Sequence, residues 1–170
     1  MRTETNLIQR LYDGFVKVVS SLQSPFLLVV RVYWGLQLSQ NGWAKLHNLS
    51  HVTEFFSSLG LPAPAFTATF VSSFESVAGI LLALGLLSRI AALGIVIDMF
   101  MAYWTADRAS LLAFFSDPGK FSSADPFIFF FVGLIILIVG PGKLSLDTLI
   151  DRTIRKRKYS DHAESGSSAI

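Results

Sequence analysis

The chain has 170 residues, of which 52% are hydrophobic and only 15% charged, and its formal net charge is +2. Soluble domains carry roughly 25% charged residues, so a water-exposed globule is short of the charge it needs to cover its surface. The absence of cysteine excludes disulfides, thiol redox chemistry, covalent c-type haem and thiolate-held iron–sulfur clusters from the chain itself.

In chain order, residues 6–22 read as an amphipathic helix. Leu7, Leu11, Phe15, Val18, Val19 and Leu22 follow helical spacing, while Arg10, Asp13 and Lys17 lie off that stripe. Asp13 and Lys17 interrupt the continuous apolar core that a cleaved signal peptide needs. The segment 1–23 is therefore expected to lie on the bilayer as an interfacial helix, with a solvated helix packed on a partner as the alternative. Ser24-Pro25 then supplies an N-cap and a first-turn proline for a span over roughly 25–46.

A second span is expected over roughly 65–87, after the turn-rich Gly60-Leu-Pro-Ala-Pro64. A third covers roughly 89–106, and a fourth roughly 125–141, bounded by Asp125-Pro126 and Gly140-Pro141-Gly142. Residues 51–60 suit a short interfacial or re-entrant helix. Residues 107–124, with Phe114, Phe115 and Phe121, suit the membrane surface. The expected fold class is an all-α membrane protein, a bundle of four transmembrane helices over 24–142 preceded by the amphipathic helix. Residues 143–170 are expected to form a basic, largely disordered tail.

Lysine and arginine outside the spans divide unequally. One side collects ten, including Arg10, Lys17, Arg89, Lys143 and the run Arg152–Lys158, and the other has Lys45, Arg108 and Lys120. The bias puts both termini in the cytoplasm and leaves Trp43 and Trp104 at the outer interface. Cations beside membrane segments meet anionic lipid headgroups, and they do not point to nucleic acid.

Arg31, Glu75 and Asp98 fall inside the spans, where each charge costs about 2.5–3.5 kcal/mol near a helix centre. From the helical rise they lie at about 9, 18 and 13 Å from the cytoplasmic ends of their spans. An arginine side chain could bridge two carboxylates at those depths, which lowers the cost of burying all three. Trp34 and Asn41 sit beside the Arg31 stripe, and Lys45 ends it. The triad reads equally as glue fixing helix register and as a proton relay or an anchor for a polar ligand such as a quinone headgroup. His47 and His51 have the i, i+4 spacing of a shared metal, but Asn48 and Ser50 between them favour a loop, so no metal is assigned.

Several motifs fall together in order. Arg31 comes early in the first span, followed by Asn41-Gly-Trp-Ala-Lys-Leu46, the segment Phe56-x-x-Leu-Gly-Leu-Pro62, Glu75 with Gly79, and the turn Leu84-Gly-Leu-Leu-Ser-Arg89. On these the chain resembles the DoxX family of small bacterial membrane proteins over about residues 25–140. The resemblance implies a four-helix protein of the inner membrane, and Arg31, Lys45 and Glu75 match the family pattern. It also implies a membrane subunit of a quinone- or thiol-linked redox system, working with a partner enzyme or as a homo-oligomer. The alternatives are a small-solute or ion transporter or channel, and a non-catalytic assembly protein.

Overall fold

The structure is a computed structural model. It describes the backbone of residues 2–154 and the side chains from Leu7 to Ile154. Its elements are α1 (Arg2–His47), α2 (Leu49–Ser58), α3 (Pro64–Leu84), α4 (Ser88–Thr105), α5 (Arg108–Leu112), α6 (Pro118–Ser122) and α7 (Pro126–Val139). A further helical segment, α8, covers 146–154. No strand occurs among the described residues.

α1 packs on α3, α3 on α4, α4 on α7, and α7 back on α1. The core between them is built from Leu27 and Leu38 of α1, Leu82 of α3, Ile95 of α4 and Val132 and Ile136 of α7. Large apolar side chains also cover the outside, among them Val29, Phe70, Ile97 and Ile138, all at least half exposed. An apolar exterior on every long helix is what a hydrocarbon solvent tolerates and water does not. Leu7–His47 and Pro64–Leu84 are long and apolar enough to cross a membrane, and α7 is a shorter apolar helix.

α1 and α3 meet backbone to backbone. A Cβ on Gly42 would come within 2.6 Å of the Ser72 carbonyl oxygen, and one on Gly79 within 2.5 Å of the Gly35 carbonyl oxygen. Without hydrophobic driving force between helices in lipid, such close approach supplies the dispersion contacts that hold them together.

The structure departs from the sequence expectation at two helix boundaries. Ser24 and Pro25 do not start a helix, because α1 runs unbroken from Arg2 to His47 with Pro25 inside it. Proline removes one hydrogen bond, to the carbonyl four residues earlier, yet both flanking segments are strongly helical and the helix continues across the gap. The Ser24 hydroxyl is used elsewhere, accepting from the Lys143 N–H at 3.1 Å.

The second departure is at residues 143–154, which fold back onto the bundle instead of trailing as a tail. Ser145 caps α8, its hydroxyl accepting from the Thr148 N–H at 3.2 Å. Residues 155–170, with most of the expected disordered tail, lie outside the described residues. α2 is a short helix between α1 and α3, two residues ahead of the 51–60 segment expected there. α5 and α6 carry an aromatic cluster, where Phe121 stacks on Tyr103 at 5.0 Å and meets Phe114 edge-on. The Tyr103 hydroxyl donates to the Phe121 carbonyl at 2.7 Å.

Candidate functional site: two buried charged centres

The two cations of α1 that reach into the bundle, Arg31 and Lys45, go to opposite ends of it. In a helix every Cα–Cβ bond leans toward the N-terminus, so a long side chain reaches back over the preceding turn. Arg31 reaches back this way: its Nε donates to the Leu27 carbonyl at 3.4 Å, and Nη2 donates to the Leu144 carbonyl at 2.5 Å. Lys45, fourteen residues or about 21 Å farther along, leans back from the end of α1 into the space beside α3. Arg31 therefore does not link Glu75 and Asp98, and the expected triad is replaced by two separate centres.

The first centre is Lys45, Glu75 and Asp98. Lys45 Nζ bonds both carboxylate oxygens of Glu75, at 2.6 and 2.7 Å. Glu75 is almost wholly buried, with 4% of its side chain exposed, while Lys45 keeps 37%. The small stripe around Glu75 is already saturated, since Ser72 and Ser76 each donate to a carbonyl one turn back on α3. Asp98, from α4, lies within electrostatic reach of both Glu75 and Lys45. Its Oδ2 is buried and has no hydrogen-bond partner. The ion pair is thus Lys45 with Glu75, and Asp98 adds a second carboxyl group within electrostatic reach of it. Lys45 and Glu75 neutralise one another, and Asp98 is the surplus.

The second centre joins Arg31 to the segment after α7. Arg31 is completely buried. Gly85, which ends α3 at φ +70°, packs against its guanidinium, and the absence of a side chain there gives Arg31 its room. Asp147 accepts from the N–H groups of Leu87 and Ser88 at 2.7 and 2.9 Å and so caps α4. Leu87 sits at φ +48°, a conformation a leucine seldom adopts, and the Asp147 bond holds it there. Burial pushes the Asp147 carboxyl up, but the Ser88 and Leu87 hydrogen bonds and the Arg31 charge outweigh it and hold it below the ordinary range.

The remaining candidates fall outside both centres. Trp34 packs edge-on against Phe129 of α7, 5.9 Å between ring centroids, as part of the core. Asn41 is exposed. His47 ends α1 and His51 lies in α2 beyond the break at Asn48, so they do not share a helical face. The His47 Nδ1 is 2.9 Å from the Trp43 carbonyl, and its ring rests on Trp43. No group of three metal-ligating side chains occurs among the described residues. The Arg31 partners escaped sequence reasoning, although Ser145-Leu-Asp-Thr148 carries a legible helix-start signal.

The chain was compared with known proteins. The DoxX family model matches residues 26–108, a stretch that contains Arg31, Lys45, Glu75 and Asp98. An uncharacterized membrane protein of Mycobacterium tuberculosis, Rv3486, is 30% identical over 140 residues, covering 75% of this chain and 83% of that protein. No solved structure matches the chain significantly.

Proposed function

The chain belongs to the DoxX family of membrane proteins, and on that premise we propose that it is a membrane subunit of a quinone- or thiol-linked redox system in which Lys45, Glu75 and Asp98 bind a polar ligand or relay protons. In this reading α1, α3, α4 and α7 each cross the bacterial inner membrane, and both termini face the cytoplasm. At about 21 Å α7 is short for a hydrocarbon core of about 30 Å, a mismatch that local thinning absorbs. Electrons come from a partner enzyme or a bound cofactor, because the chain has no cysteine to carry them.

The observation that carries the proposal is the unpartnered Asp98 Oδ2 beside a pair that is already neutral. A buried unmet polar atom costs about 1–3 kcal/mol. Arg31 Nη1 and the Ser88 hydroxyl are also unmet, and what sets Asp98 apart is its place within electrostatic reach of an ion pair that is already neutral. A carboxyl left over next to a Lys–Glu pair is equipped to take a proton, or to accept from the hydroxyl of a reduced ligand such as a quinol. Glu75 and Lys45 fix its electrostatic surroundings, and the partly exposed Lys45 leads from the cluster toward the end of α1.

Titrating the purified protein with a short-chain quinol tests this. Saturable binding is expected, weakened at least about tenfold by Asp98→Asn, the loss of one charged acceptor. Absence of quinol binding together with absence of any redox enzyme in a crosslinked native complex would sink the proposal.

A further inference from the structure

α1 is too long for the bundle it serves. Its 46 residues span about 69 Å, more than twice a hydrocarbon core of about 30 Å. The first buried α1 residue is Leu27, and every residue from 7 to 23 is exposed. About 25 Å of helix therefore projects past the bundle with its apolar side chains uncovered.

Those side chains follow a seven-residue repeat. Ile8, Phe15 and Leu22 fall seven apart, with Leu11 and Val18 between them at alternating steps of three and four. One line of that repeat continues into the bundle through Val29, Leu36 and Trp43, all of them exposed, while the other passes through Pro25 and Val32 to Ser39, which packs against Gly79 of α3. The face that packs on α3 and α7, carrying Leu27, Arg31, Leu38 and Lys45, is on the other side of the helix. Arg10, Asp13 and Lys17 line up with that inner face. The apolar stripe of the extension thus continues the outer, unpartnered side of α1, and its charges point away from it. A 3.6-residue helix keeps a strict seven-residue stripe on one line only by supercoiling with a partner.

We propose that α1 pairs in parallel with α1 of a second copy of this chain, along the seam running from Ile8 toward Trp43. An identical copy suits this seam because its flanking positions in the extension, Tyr12, Gly14, Val19 and Ser21, bear no charge that like copies would repel. Gly14 has open space around it, so the two backbones can approach there. The pairing places the two bundles side by side, with the Asp98 clusters on the far faces of the two α1 helices. It does not depend on the redox reading.

The cysteine-free chain permits a direct test. Single variants Leu11→Cys and Val18→Cys place thiols on the seam, and Asp13→Cys and Ser20→Cys place them opposite. All four positions are exposed and outside the bundle, so folding is preserved. In dilute proteoliposomes under mild oxidation, the seam variants are expected to form disulfide dimers at least about fivefold faster than the others. Equal rates at the four positions, or no dimers, would overturn the proposal. So would quenching of a Leu11→Cys fluorophore by brominated lipid, which places the stripe on the bilayer surface.

Discussion

Two cations on one helix meet opposite fates. Arg31 is completely buried and is met by carbonyl oxygens and by the Asp147 charge from a segment more than 110 residues away. Lys45 is partly exposed and is met by a buried carboxylate, with a second carboxyl beside the pair. The Arg31 centre balances its charge against Asp147 and joins turns and helix caps, fastening residues 143–154 to the bundle, although Arg31 Nη1 and the Ser88 hydroxyl are themselves buried without a hydrogen-bond partner. The Lys45 centre stays open, because its charges do not balance within the protein.

The largest effect expected from breaking this contrast is at Lys45. Lys45→Met leaves Glu75 buried without a counter-charge and should cost about 3–5 kcal/mol in denaturation of the detergent-solubilised protein. Glu75→Gln should cost less, because the partly exposed Lys45 can turn to solvent. Combining the two changes should recover most of the loss if the pair itself is structural. Activity that stays lost in the double variant would separate chemistry from stability.

Asp147 gives an intermediate effect. Asp147→Ala removes the acceptor for two α4 N–H groups and should cost about 1–2 kcal/mol. The carboxyl is held below its ordinary range when folded, so its contribution is complete above about pH 4 and disappears as pH falls through the lowered value. Thermal melts of the native protein and the variant should therefore converge in acid, and parallel curves would remove Asp147 from the centre. Ser24→Ala, which deletes only the bond from the Lys143 N–H, should cost about 0.5–1 kcal/mol, read in the same melts.

Much of the fold was legible because lipid solvation demands long apolar runs. The starts of α3 and α7 follow from Pro64 and Asp125-Pro126 and the end of α7 from Gly140, whereas α3 stops at Gly85, short of the span expected to run to 87. The continuity of α1 was not legible, since Ser24-Pro25 is a good helix start that the structure passes over. Depth arithmetic placed Arg31, Glu75 and Asp98 at overlapping levels but took no account of side-chain direction. The backward lean of helical side chains is what sends Arg31 away from Glu75 and brings Lys45 in. The attachment of residues 143–154 to Arg31 was hidden for another reason: Leu144 offers only its carbonyl, a group every residue has.

The Asp147 cap also fixes a sequence of events during synthesis. α4 begins at Ser88, yet the carboxylate that satisfies its first N–H groups arrives 59 residues later. Until then Leu87 has no partner for its unusual conformation, and Arg31 waits still longer for Leu144. The last helices must therefore emerge from the ribosome before the end nearest Arg31 can lock. A nascent chain arrested before Leu144 would leave both Arg31 and the start of α4 without the partners that meet them in the finished bundle.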